Sequence, residues 1–145
     1  MKKKALLLSD ELFLSNSYSD GKFRVKQNKI LTKLKNKFDF DNISSKQLTS
    51  IKAKNYIKEF IKHYNYSHCI ISLKSFDDNL KEAVEELINN GIKIILVTAP
   101  NASKEDVLKM KSLCESTSIK YIVYDDVFEE QSANKINSFI LNLCA

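Results

Sequence analysis

The sequence predicts an α/β fold, a three-layer α/β/α sandwich around a five-stranded parallel sheet of flavodoxin-like order 2-1-3-4-5. Three observations carry this. Short apolar runs alternate with helically spaced apolar stripes along the chain. Three of those runs are apolar without interruption, as strands covered on both faces must be. The 145 residues include only two glycines and one proline, too few for a turn-rich all-β plan.

The elements follow in order. Ala5-Leu6-Leu7-Leu8 reads as a strand buried on both faces. Phe23, Ile30, Leu31, Leu34 and Phe38 fall on one helical stripe. Phe38-Asp39-Phe40-Asp41, with Ile43 behind it, alternates and reads as a weaker strand nearer an edge. Leu48, Ile51, Tyr56, Ile57, Phe60, Ile61 and Tyr64 line a long helix, and Cys69 to Leu73 forms the third strand. Leu80, Ala83, Val84, Leu87 and Ile88 give the cleanest helix, capped by Asp77 or Asp78 and stopped at Asn90-Gly91. Ile94 to Val97 is a fourth strand, closed by Pro100. Ser103 and Asp106 approximate a capping box for the helix carrying Val107, Met110 and Cys114. Tyr121 to Tyr124 is the fifth strand, and Ile136, Phe139, Ile140 and Leu143 line the last helix. No repeat or linker interrupts the pattern, so residues 1–145 read as a single domain.

The hydrophobic fraction of 43% excludes intrinsic disorder. No run approaches the roughly eighteen apolar residues of a membrane span, so no membrane partner is expected. Lys2 to Lys4 before Ala5 to Leu8 resemble the start of a secretion signal, but Asp10 and Glu11 end the apolar run and no small-residue cleavage site follows. A cytoplasmic protein is the expectation. Cys69, Cys114 and Cys144 are far apart in apolar settings, which predicts reduced, packed thiols. Residues 1–66 carry 15 basic and 6 acidic side chains, and residues 67–145 carry 8 and 12. Arg24 is the only arginine, which argues against nucleic-acid readout and for solvated lysine-rich helix faces.

In a sheet of this order, ligands bind beyond the carboxyl ends of the strands, where the strand order reverses. That crevice lies between the first and third strands. Its candidate residues are Ser9, Asp10 and Glu11, Ser44 and Ser45, Lys74 and Ser75, Thr98 to Asn101, and Asp125 and Asp126. No phosphate-cradling loop can be built from Gly21 and Gly91 alone, so no cofactor is implied. A magnesium-dependent, receiver-like or phosphate-handling domain begins well with Asp10, Glu11 and Thr98. It lacks the acceptor carboxylate where Lys74 stands and the lysine where Asp125 stands. Asp10, Glu11, Asp125 and Asp126 could gather around a cation beside Lys74. The favoured expectation is instead that Asp10 and Asp126 cap the following helices and the others face water, with no metal. His63 and His68 fall at the opposite end of the sheet, as exposed or capping residues. The rim serines therefore lack the base that would make them nucleophiles. Tyr64 and Tyr66 read as aromatics closing the bottom of the sandwich rather than as a partner surface.

Several segments are similar, in order and spacing, to the SGNH (GDSL-type) hydrolases. Leu6-Leu7-Leu8-Ser9-Asp10-Glu11-Leu12 resembles the strand and G-D-S-L opening of that family, and Asp41-Asn42-Ile43-Ser44-Ser45 resembles its second block. Ile71 to Asp77 sits where the family has its apolar strand and G-x-N-D. Ile94 to Pro100 is similar to its fourth strand, and Tyr124 to Phe128 falls at its final D-x-x-H block. The resemblance implies the predicted fold and places the family's site on particular residues here. Its nucleophile falls on Glu11, its oxyanion-hole glycine on Ser44, its oxyanion-hole asparagine on Phe76 and its histidine base on Phe128. Only Asp125 keeps its type. An ionised carboxylate has no proton to lose to a base, and a benzyl group neither accepts a proton nor donates to an oxyanion. Ser44 could still donate through its backbone N–H.

The resemblance therefore implies an SGNH-like pseudoenzyme, acting in binding or scaffolding of a small acylated or carbohydrate ligand. The rim residues expected to line that pocket are Asp10, Glu11, Ser44, Lys74, Ser75, Asp125 and Asp126. The alternative is an active acyl-ester hydrolase or acetylhydrolase that uses Glu11 in a non-standard site. Rings of Phe76 and Phe128 filling the crevice would disfavour a small molecule there.

Overall fold

A computed structural model describes residues 3–10, 12–13, 16–19, 22–25, 29–98, 102–117, 119–122, 138 and 142. In chain order these give β1 (Lys3–Ser9), β2 (Asn16–Ser19), β3 (Lys22–Val25), α1 (Lys29–Leu34), β4 (Phe38–Ser44) and α2 (Ser50–His63). They continue with β5 (His68–Ser72), α3 (Asp78–Asn89), β6 (Lys93–Val97), α4 (Lys104–Thr117) and β7 (Lys120–Ile122).

Five strands form one sheet in the order β4-β1-β5-β6-β7, and every neighbouring pair is parallel. Counting only the strands of this sheet, the order is 2-1-3-4-5, the flavodoxin-like arrangement that the alternating runs predict. The period of two along each strand sends alternate side chains to opposite faces, and the core divides accordingly. Leu6, Leu8, Cys69, Ile71, Ile94 and Leu96 pack under α2, α3 and α4. Ala5, Leu7, Ile70, Ile95 and Val97 pack on the other face with Leu12, Phe13 and the α1 residues Leu31 and Leu34. Central β1 and β5 are buried almost throughout, whereas edge strand β4 is only half-buried along most of its length. That is the physical reason for the alternation of its sequence.

Each longer helix buries a narrow stripe. In α2 the stripe is Ser50, Ala53 and Ile57, so Ile51 and Tyr56, about 100° away in helical phase, are exposed rather than core. In α3 the buried residues are Leu80, Ala83, Val84 and Leu87, with Ile88 exposed. Asp77 is its cap and accepts from the Asn79 and Leu80 N–H groups at 3.0 and 3.2 Å. Ser103 caps α4, accepting the Asp106 N–H at 3.1 Å while its hydroxyl donates to the Asp106 carboxylate at 2.7 Å.

The single helical stripe expected from Phe23 to Phe38 is not what forms. Phe23 lies in β3, which pairs antiparallel with β2, and Tyr18 stands opposite Phe23. The helix begins only at Lys29, and Phe38 opens β4. Lys22-Phe23-Arg24-Val25 alternates with period two, and Asp20-Gly21 between the paired segments is a strong two-residue hairpin signal. Strand pairing with β2 thus outweighs a helical spacing that rested on Phe23 alone. The expected last helix lies outside the described residues, apart from Ser138 and Asn142, which are helical.

Candidate functional site

The strand order reverses between β1 and β5, so the crevice opens beyond their carboxyl ends. Here Ser9 is in register with Ser44 on one side and Ser72 on the other. Three neighbouring strands thus end on serine, on the face shared with Leu7 and Ile70. Ser9 and Ser72 are fully buried and Ser44 is half-buried.

The hydroxyls are largely committed. The Phe13 N–H donates to Ser9 Oγ at 2.8 Å, Ser9 Oγ donates to Ser44 Oγ at 2.9 Å, and Ser44 Oγ donates to Asn42 Oδ1 at 2.6 Å. Asn42 Nδ2 then donates to the Phe13 carbonyl at 2.9 Å, closing the ring. Donors and acceptors in such a circuit polarise one another, which strengthens each bond. Its effect is to pin the turn after β1 across the end of β4. The Ser45 N–H adds a bond to the Ser9 carbonyl at 3.1 Å.

On the β5 side, Asp10 is buried and its Oδ2 accepts the Lys74 N–H at 2.8 Å, while the Asp10 N–H donates to the Ser72 carbonyl at 3.2 Å. Asp10 thereby braces the loop after β5. Lys74 and Ser75 in that loop are exposed. The next residue, Phe76, turns its ring into the core with Leu73 and Leu80. Its N–H donates to Asp106 Oδ1 at 3.0 Å. That bond, followed by the one from Ser103, holds the Asp106 carboxyl below the usual carboxylate range. Thr98, just past β6, is buried at the same rim. Ser72 Oγ is buried with no hydrogen-bond partner among the described residues.

The rim thus gathers Ser9, Asp10, Ser44, Ser72, Lys74 and Ser75. Glu11, Asp125, Asp126 and Phe128 lie outside the described residues, and with them the expected meeting of four carboxylates. Among the described residues no three His, Cys, Asp or Glu side chains cluster as metal ligands would. Both histidines of the chain lie at the amino end of the sheet. His63 is exposed and 3.1 Å from Glu59 one turn back. His68, expected exposed or capping, is instead buried as the first residue of β5, because β5 starts one residue earlier than its apolar run. Tyr66 closes the bottom of the sandwich and donates to Asp41 Oδ2 at 2.6 Å, while Tyr64 is exposed beneath Lys4. Burial, then that bond to an anion, raises the Tyr66 phenol above its ordinary range. Cys69 and Cys114 are buried free thiols, and Cys144 lies outside the described residues.

Sequence reasoning overlooked Asn42 and Ser72 as site residues. The signal for both was available: apolar strands that end on serine, with a polar residue two positions back on the same face of β4.

The fold and the rim define a flavodoxin-like α/β domain. Compared with known proteins, the chain matches no family model and no curated sequence. No described helix is long and apolar enough to cross a membrane.

Proposed function

We propose that the chain is a binding or scaffolding domain on a frame resembling the SGNH (GDSL-type) hydrolases, without their ester-hydrolase chemistry. Its rim takes a small acylated or carbohydrate ligand, with Lys74 and Ser75 as the solvent-facing contacts and Asp10 and Ser44 fixing the loops around them.

The observation that carries this reading is the closed ring of Ser9, Ser44, Asn42 and the Phe13 backbone. A nucleophilic serine needs a base to take its proton. The Ser9 proton is given to Ser44 and the Ser44 proton to an amide oxygen, which is no base. Both histidines of the chain are at the far end of the sheet. Phe76, at the family's asparagine position, has its ring in the core. What remains at the rim is hydrogen-bonding capacity held on rigid strand ends, which suits binding.

Incubation of the purified chain with p-nitrophenyl acetate is expected to give no release above buffer. A rate that disappears in Glu11→Ala would overturn the reading in favour of a hydrolase built on Glu11. In parallel, N-acetylglucosamine is expected to shift the backbone NMR signals of Lys74 and Ser75 saturably. Unmoved signals at both residues would sink the assigned ligand class.

A further inference from the structure

His68, at the amino end of the sheet, is a buried titratable side chain that the rim does not use. Strand register sets it beside Ala5 of β1 and Lys93 of β6, on the sheet face that α1 covers. Lys3, two residues before Ala5, and its β4 partner Phe38 lie on the same face. The backbone around His68 is fixed on both sides. The Ser67 N–H donates to the Lys4 carbonyl at 2.9 Å and the Lys93 N–H donates to the Ser67 carbonyl at 3.1 Å.

The imidazole is closed in. The Phe38 ring meets it edge-on at 5.3 Å. Ser67 Oγ lies 3.1 Å from the Lys4 carbonyl, which can only accept, and 2.7 Å from His68 Nδ1. The serine proton goes to the carbonyl, which assigns the imidazole proton to Nδ1. Nε2 is buried with no hydrogen-bond partner among the described residues. A neutral ring leaves only a lone pair there. A protonated ring leaves a buried N–H and a buried positive charge, which is the costlier state. The charged groups on the neighbouring strands add to that cost. Lys3 of β1 and Lys93 of β6 act on the ring, Lys120 of β7 follows on the same face, and β4 faces the ring with Phe38. The turn from α1 into Phe38 adds exposed Lys35 and Lys37 and no carboxylate.

We infer that His68 is an acid-sensitive latch: its neutral ring holds Phe38 and α1 on the sheet, and protonation releases them. Nε2 is shut off from water, so it takes up a proton only when the segment over it moves. That segment is not β5, which is central, buried throughout and paired on both sides. Phe38 opens an edge strand, and α1 before it has six residues, too few to hold as a helix without the packing of Leu31 and Leu34. Local opening is drawn from such weakly held segments.

Linkage gives the direction with pH. Burial first, then the Lys3 and Lys93 ammonium groups, hold the imidazole below the ordinary histidine range. Opening returns the ring toward that range, so the open state binds more protons than the closed one. The latch is therefore fully closed above the ordinary histidine value of about 6.5 and weakens as pH falls below it. The Glu82 and Asp106 carboxyls are held below the ordinary carboxylate range, so neither contributes in that window.

The test is amide hydrogen exchange on the full chain at about pH 7 and about pH 5, corrected for intrinsic rates, beside an NMR titration of the His68 imidazole. The Lys35 N–H is bonded to the Leu31 carbonyl and the Lys37 N–H to the Leu34 carbonyl, so both report on α1. The Ile92 N–H, bonded to the Leu87 carbonyl at the end of α3, is the reference. Protection at Lys35 and Lys37 is expected to drop about threefold or more at the lower pH, with Ile92 unchanged. His68→Gln, neutral at both pH values, is expected to abolish the drop. Lys93→Gln, at an exposed position that leaves the fold intact, is expected to raise the His68 midpoint and shrink the drop. The inference is overturned if Lys35 and Lys37 keep their protection in the parent chain, or if the drop survives His68→Gln. A fall of Ile92 in step with them overturns it too, since the whole chain then opens, as does a His68 midpoint unmoved in Lys93→Gln.

Discussion

Ser9 shows how one side chain can decide what a rim is able to do. Its oxygen takes the Phe13 N–H and its hydrogen goes to Ser44, so it acts as a fastener. Replacing it with alanine leaves the Phe13 N–H without an acceptor under a turn that is itself buried. Ser9→Ala is therefore expected to lower unfolding stability by about 1–3 kcal/mol in urea titration. Asn42→Ala, at an exposed position where water can substitute, should cost less. Equal stability of Ser9→Ala and the parent would mean that the ring holds nothing. At this scale the sequence was only half legible. The rim position of Ser9 follows from the end of an apolar run, but its partner is Ser44, thirty-five residues away. Strand register alone brings the two together. Likewise, nothing local to Asp10 says that its carboxylate reaches the amide of Lys74.

Among the elements, α3 is the most fully specified by its own sequence. Its cap, buried stripe and stop agree with one another, a consistency that funnels a chain toward one structure. The stop is a Schellman arrangement: the Gly91 N–H donates to the Ile88 carbonyl at 3.0 Å and the Ile92 N–H to the Leu87 carbonyl at 3.1 Å, with Ile92 and Leu87 both buried. Gly91 has a φ of 72°, and a Cβ added there would meet no atom within 4 Å. The cost of Gly91→Ala is then backbone conformation alone, about 1–2 kcal/mol. Gly91→Asn should cost less, because asparagine enters the left-handed region more readily. Thermal unfolding of the two variants checks the order; alanine no worse than asparagine would contradict it. The β2–β3 hairpin is the opposite case. Its strands are four residues each, too short for periodicity to stand out, and one phenylalanine placed seven residues before Ile30 imitates a helical repeat. The Asp20-Gly21 pair was the better guide, since a two-residue turn constrains both flanking segments at once.

For the whole molecule, the parallel sheet was the most legible feature, because burial on both faces leaves uninterrupted apolar runs that few other arrangements tolerate. The same geometry makes a prediction about energetics. Side chains above and below the sheet share strands but not neighbours, so the core is two layers separated by backbone. Ile57 of α2 belongs to the layer under α2–α4, and Ile70 of β5 belongs to the layer shared with Phe13 and α1; both are fully buried. Ile57→Val and Ile70→Val should each cost about 0.5–1.5 kcal/mol, from a lost methylene and the small void it leaves. Residues with no shared partners add to within about 0.5 kcal/mol. The double variant is therefore expected to lose the sum of the two, with the urea m-value unchanged. A coupling energy above about 1 kcal/mol would show that strain crosses the sheet, and that the two layers relax as one body.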